Sequence, residues 1–326
     1  MPELKYSMRN NVPLYREEIL KQTGRLGARL QAKLPITAEQ QTKLSWARAV
    51  RTWSEVPEAY RDSLKAVFGD TTVFPYTVLI PSHKGYAAGT KEKLICCLDR
   101  LVCVLETVND AVVSFCYPVE HISHVQMGSA LLQSWLRIWG TTSDGIQNSS
   151  EFKFNSITNF LFTPIVKGMR PVECIAEVDH SQECSMFDDF GQINFKLMNF
   201  GRRSILPGER VVQTILQPEI RTETARFLGH PIYSTLGAPH ISILTDTELI
   251  LVQDGIGKRW GRSVVYGGVW DYIPLDKIAS ILLTETSGTV FTMSVSIQGE
   301  DRVDCLFESS NCQKVGMLQN RIYASR

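Results

Sequence analysis

The sequence predicts a mainly β protein with some helix. It reads as two curved antiparallel β-barrels, each ended by a C-terminal helix, behind a helical N-terminal region. Three observations carry this. Two long stretches consist of short β-branched runs separated by turn residues. Each stretch finishes in an amphipathic helical stripe. Blocks of the first stretch recur in the second in the same order, as a repeated unit would leave them. The chain has 326 residues, room for roughly two domains.

The boundaries fall at 1–70, 71–170, 171–200 and 201–326. In the first region Leu26, Leu30 and Leu34 repeat at helical spacing, although Gly24 and Gly27 weaken that helix. Thr37 with Gln40 resembles a capping box opening a second helix, with Leu44, Ala47 and Val50 on one face. Pro57 suits the first turn of a third, on which Tyr60, Leu64 and Val67 align. Residues 1–69 hold 12 Lys/Arg and 7 Asp/Glu, a modest basic excess that suits either a solvated face docked on the acidic remainder or an arm for an anionic partner.

From Thr71 the pattern turns to strands: TVLIP, KLICCL, LVCVLE and AVVSFCY. WLRIW alternates, so Trp135, Arg137 and Trp139 share one face and Leu136 and Ile138 the other. The two tryptophans are expected in a core between the domains, an exposed platform being the rival reading. FKFN follows, then a helix striped by Phe162, Ile165 and Met169 that Pro164 should kink or shorten. Residues 171–200 read as an acidic, weakly periodic connector. Strands return in VVQTIL, HISIL, ELILVQ, YIPLDKIASILL, FTMSVSI and DRVDCLF, and the chain closes on a helix striped by Val315, Leu318 and Ile322.

The internal similarity is specific enough to align. LICCLDRLVCVLE matches ISILTDTELILVQ, placing Asp99 against Asp246 at expected tight turns. YPVEHISHVQ matches YIPLDKIASILL, placing Pro118 against Pro274 and Ile122 against Ile278. Phe154 corresponds to Phe307. The offset grows between the two blocks, and the extra residues fall in the glycine-rich loop between Gln253 and Tyr272.

Each unit is then a set of antiparallel strands with one apolar face to cover and edges to protect. Curling the sheet and plugging its end with a helix meets both needs. The hairpin around Asp246, the strand led by Tyr272-Ile273-Pro274-Leu275, Phe307 and the final helix resemble the pleckstrin-homology-like (PH-like) fold. In the first unit Asp99, Tyr117-Pro118-Val119 and Phe154 carry the same resemblance. It spans roughly residues 73–170 and 205–324 and is most similar to bacterial tandem versions of the superfamily. The resemblance implies a curved seven-stranded sheet capped by a helix, and binding more often than catalysis.

Lys plus Arg and Asp plus Glu both number 34. A chain with no net charge offers no bulk attraction for nucleic acid, and no nucleic-acid partner is expected. The eight cysteines are Cys96, Cys97, Cys103, Cys116, Cys174, Cys184, Cys305 and Cys312. Several sit in apolar runs, where a free thiol acts as a small hydrophobe. The first residues lack the apolar core of a signal peptide, so a reduced, cytoplasmic protein is expected, with paired cysteines in a secreted one as the rival.

No catalytic or cofactor motif stands out: GxSxG, HExxH and GxxxxGK[ST] do not occur. Cys174, His180 and Cys184 suit zinc by softness, but their spacing is not a CxxC form. No metal is expected there. His121 and His124 form HxxH, but on a strand a three-residue offset sends the rings to opposite faces. Lys258, Arg259 and Arg262 beside Trp260 form a candidate interfacial cluster for lipid or partner. Lys84, Lys91 and Lys93, and Arg221 and Arg226 near a second loop, RTETARFLGHP, are further cations without a tight headgroup pattern. The sequence therefore points to a non-enzymatic scaffold for a protein or peptide partner, without a cofactor. Binding of an anionic membrane surface is the alternative, and a metal-dependent enzyme around Cys174–Cys184 is a third reading.

Overall fold

The β-branched runs of the first unit pair into an antiparallel sheet ordered as the chain runs. A computed structural model describes residues 46–69, 73–82, 91–109, 111–172, 181–228, 230–254, 267–299 and 301–325. Strands β1 (Arg48–Val50), β2 (Tyr76–Ile80), β3 (Lys93–Leu98), β4 (Leu101–Val108) and β5 (Ala111–Pro118) form this five-stranded sheet. Helix α1 (Glu58–Phe68) buries Tyr60, Leu64 and Phe68 against Leu79, Leu94, Cys96, Cys103 and Leu105 on one of its faces. These are i, i+4 positions, the apolar stripe of a surface helix.

Three more strands follow: β6 (Ile122–Ala130), β7 (Gln133–Thr141) and β8 (Gln147–Asn155), then helix α2 (Asn159–Met169) with Pro164 inside it. Two helices, α3 (Ser181–Ser185) and α4 (Gly191–Ser204), lead to β9 (Val211–Gln217). A hairpin of β10 (Ile220–Phe227) and β11 (His230–Gly237) stands apart as a two-stranded sheet. Then come β12 (His240–Thr245), β13 (Glu248–Gln253) and β14 (Gly267–Pro274). The chain ends with β15 (Ile278–Ser287), β16 (Val290–Ile297), β17 (Arg302–Glu308) and helix α5 (Cys312–Ala324).

The second sheet is assembled from both stretches of the chain. Its order is β8-β7-β6-β14-β13-β12-β9, so β6 pairs with β14 across the middle. The register runs from Gly267 opposite Ala130 to Tyr272 opposite Val125. One core holds Val125, Leu136, Ile138, Phe152 and the α2 stripe Phe162, Ile165 and Met169. Another, under β15-β16-β17 and α5, holds Leu249, Leu251, Ile273, Phe307 and the α5 stripe Val315, Leu318 and Ile322. Each fully buried side chain of this size contributes about 1.5–3 kcal/mol.

Several expectations are corrected. The sheets are open among the described residues, not closed barrels, because β6 and β14 continue one sheet into the other instead of curling back. Arg48–Val50 is a strand paired with β2, not part of a helix through Leu44, Ala47 and Val50, because the edge of β2 offers it a ladder. The expected connector holds α3 and α4, with Leu197 and Met198 buried. RTETARFLGHP is the β10–β11 hairpin and not a loop. Cys103 and Cys116, opposite each other on β4 and β5, form a disulfide, so not every cysteine is a free thiol. The first helix and most of the second lie outside the described residues.

A buried ionic cluster ties α2 to the second stretch. Arg170, just past α2, donates from Nε to Glu248 at 2.6 Å, from Nη2 to Glu209 at 2.8 Å and from Nη1 to the Ser204 carbonyl at 2.8 Å. Its guanidinium lies over the Tyr272 ring at 4.6 Å. One cation faces two buried carboxylates, so burial pushes Glu248 up to about 8 despite Arg170. A raised folded-state pKa gives stability that is full below the unfolded value of 4.5 and is lost as pH rises toward about 8. Glu248→Gln is expected to flatten that fall in pH-resolved urea melts. Arg170→Met, which strands both carboxylates, is expected to cost on the order of 3–5 kcal/mol in the same melts.

Candidate functional site

The junction of β6 and β14 brings His124 and Asp271 together. Asp271 is the one charged residue in an otherwise apolar β14, His124 sits in the more mixed β6, and both side chains are only 2% exposed. Neither can be buried alone without a large desolvation penalty. His124 Nε2 lies 2.9 Å from Asp271 Oδ1, and its Nδ1 bonds Asp301 Oδ2 from the β16–β17 turn. Gln126, opposite Asp271 in the ladder, donates its amide to the same Asp271 oxygen at 2.8 Å. Trp135 Nε1 donates to Gln126 Oε1 at 3.2 Å. The result is one hydrogen-bond chain across three strands and a turn.

Two glycines make this geometry fit. A Cβ on Gly128 would fall 2.0 Å from the Trp135 ring, so the indole lies directly on β6. Gly299, at φ +92°, turns the β16–β17 connection where a Cβ would meet Gln147 of β8 at 2.6 Å. That approach carries Asp301 to His124.

Around this chain lies a cleft of about 470 Å³. Its floor is Trp135, Arg137 and Trp139 of β7 with His124 and Gln126 of β6, and its wall includes Asp301, Arg302 and Asp304. Trp139 stacks on His124 with centroids 4.5 Å apart. Arg137 donates to Glu151 at 2.7 Å, and Arg302 to Asp304 at 2.7 Å. The alternation of WLRIW holds, since Leu136 and Ile138 are buried beneath the sheet. The expected core position of Trp135 and Trp139 does not: among the described residues they are partly exposed and line the cleft, because β15-β16-β17 covers only the second stretch's part of this face.

No protein-family model matches this chain, and no curated protein is similar to it.

The residues singled out from sequence mostly lie elsewhere. Cys174, His180, Lys258, Arg259, Trp260, Arg262 and Lys84 fall outside the described residues. Cys184 points its thiol at the Arg202 carbonyl, 3.9 Å away. Among the described residues no group of His, Cys, Asp and Glu side chains is placed to hold a metal ion. Lys93 pairs with Glu106 at 2.6 Å, Arg221 with Glu219, and Arg226 with Glu223. His121 is exposed in the turn after β5, while His124 is buried, so the two rings do not converge. The site's own residues, Gln126, Asp271 and Asp301, were not singled out. The signal was there for one of them: the lone aspartate in VWDYI demands a buried partner, as does the histidine in ISHV.

Burial opposes the charge on His124, but its hydrogen bonds to Asp271 and Asp301 and their charges outweigh it and raise its pKa. Burial likewise opposes ionisation of Asp301, and the bond to His124 outweighs it and lowers that pKa. The His124 contribution is therefore full below 6.5 and lost as pH rises through its higher folded value. In a Glu248→Gln background, which removes the overlapping titration, thermal melts should still show this alkaline loss. Adding His124→Leu should abolish it and cost on the order of 3–5 kcal/mol at neutral pH by leaving Asp271 without its cation.

Proposed function

We propose that this chain is a non-enzymatic binding protein, a scaffold for a protein or peptide partner built on two PH-like halves. The cleft is where it seats a polar group of its ligand. The observation that carries the binding reading is the state of His124. Both ring nitrogens are taken by carboxylates. A general base or acid needs a free nitrogen within reach of the reacting atom, and this ring offers its face to Trp139 instead.

The two-half reading is supported by matching local structure. β2-β3-β4-β5, a 3-10 turn, β6-β7-β8, a second 3-10 turn and α2 correspond in order to β9-β12-β13-β14, a turn, β15-β16-β17, a turn and α5. Pro118 and Pro274 both enter the first turn of their unit. Val119 N bonds Arg100 O at 2.9 Å, and Leu275 N bonds Thr247 O at 3.0 Å. Ser156 N bonds Leu132 O at 3.0 Å, and Ser309 N bonds Thr289 O at 2.9 Å. In this alignment the β10–β11 hairpin is an insertion between the first two strands of the second half.

Selection from a displayed peptide library on the immobilised chain tests the partner class. Sequences retained by the wild type and lost on Trp139→Ala are the expected result. Enrichment of nothing, with the chain folded, would remove peptides as partners.

The hairpin favours a second reading, contact with an anionic membrane surface. Its tip exposes Phe227 and Leu228 at 67% and 85%, beside Arg226. Apolar side chains next to a cation suit the lipid interface. Flotation with anionic liposomes at low and physiological salt should then show binding that Phe227→Asp weakens. No flotation at either salt removes this reading. Among the described residues no helix is long and apolar enough to cross a membrane.

A further inference from the structure

The floor of the cleft restricts what it can hold. β7, β6 and β14 each have a hydrogen-bonded strand on both sides. The floor therefore has no open main-chain edge among the described residues, whereas β17 in the wall is the last strand of its sheet, where strand addition is a separate mode of binding. On the floor of the cleft recognition has to run through side chains.

Those side chains have a distinct character. Trp135 and Trp139 lie on the same face of β7 with Arg137 between them, so the two indoles are about 13 Å apart along the strand. Trp135 is backed by Gly128 and Trp139 by His124, and both line the cleft. Each indole thus offers its own rigid apolar surface at low entropic cost, with the Arg137 guanidinium between them. Around them the polar groups are fixed by one another: Gln126 by Trp135 and Asp271, Asp271 by His124, Arg137 by Glu151. Donors of Arg137 and Arg302 stand near acceptors of Asp301 and Asp304.

Charge excludes two ligand classes. Arg137 and Lys153 are paired with Glu151, Arg302 with Asp304, and His124 with Asp271 and Asp301, through contacts that are already made. Among the described residues neither a phosphate nor an ammonium group meets an uncompensated partner. A purely apolar group would desolvate these polar side chains and give nothing back. What fits is a neutral molecule with one apolar face and a rim of groups that both donate and accept hydrogen bonds. A sugar ring has this form. Its axial C–H bonds make an apolar face for an indole, and each hydroxyl can donate to a carboxylate while accepting from a guanidinium or amide. The volume lies within the range of about 300–1,000 Å³ typical of small-ligand sites.

We propose that the cleft is a saccharide-binding site taking an uncharged sugar ring, free or at the end of a glycan carried by a partner protein. This rests on the reading of the cleft as the ligand site.

The test uses the full chain with 15N-labelled tryptophan. Its indole signals are followed on addition of methyl β-glucoside, methyl α-mannoside, methyl β-N-acetylglucosaminide and cellotriose. A glycopeptide and the same peptide without its glycan form a second arm, and an immobilised array of neutral glycans a third. The expected result is a saturable shift of the Trp135 and Trp139 signals by a neutral sugar, with Kd of about 1 mM or tighter. Arg137→Ala and Trp139→Ala should each weaken it by about tenfold or more. Trp139→Phe, which keeps a ring on His124, serves if the alanine variant does not fold. Shifts from free sugars assign a soluble ligand, and shifts from the glycopeptide alone assign a glycan on a partner. Sugar binding that ignores these variants overturns the proposal, as does binding by no neutral sugar. If only the unglycosylated peptide shifts the signals, the saccharide class falls while the cleft remains a binding site. If no sugar or peptide shifts them, both readings fall.

Discussion

The pairing of β6 with β14 is the constraint on which the rest of the molecule depends. It splices strands from distant parts of the chain into one seven-stranded sheet. In the first stretch the corresponding fourth strand, β5, ends its sheet, whereas β14 finds a partner on its far side. That asymmetry sets His124 beside Asp271, leaves the outer face of β6–β8 uncovered among the described residues, and forms the floor of the cleft. Neither stretch could be excised cleanly, since each would expose a long unpaired edge, a known template for aggregation.

The Arg170 cluster reinforces the same junction from the other side of the sheet. Buried ion pairs add little net stability compared with apolar packing, since desolvation offsets most of the attraction. Their geometry is nevertheless exacting. Arg170 reaches Glu209, Glu248 and the Ser204 carbonyl only when α2, α4 and β13 are all in place. The cluster therefore acts on which arrangement forms more than on how stable it is.

The strands were legible because apolar alternation is local, and nearly every β-branched run became one. The two helical stripes, Phe162-Ile165-Met169 and Val315-Leu318-Ile322, are buried as their spacing implies. The failures have physical causes. Alternation places Trp135 and Trp139 on one face but cannot say whether another sheet covers it. Arg48–Val50 became a strand because an edge was available, which overrides weak helical periodicity. The hairpin β10–β11 is mostly exposed on both strands, so it lacks the alternation that would announce it. The β6–β14 pairing joins residues about 150 positions apart in the chain and leaves no local pattern, so the site it builds was invisible except as two polar residues out of place.

The Cys103–Cys116 link has a consequence of another kind. Cys96, Cys103 and Cys116 fall in register on β3, β4 and β5, so three sulfurs form a row across adjacent strands. Burial pushes the Cys96 thiol up to about 12, which makes it a poor nucleophile toward its neighbours. The link spans 13 residues of sequence, and by constraining the unfolded chain a loop of that size is worth about 3 kcal/mol, while in the folded state the hairpin ladder already holds the two strands together. Opening it by reduction would leave the backbone where it is. Whether the bond is closed therefore follows the redox poise around the protein, and the strand pairing of the sheet does not depend on it.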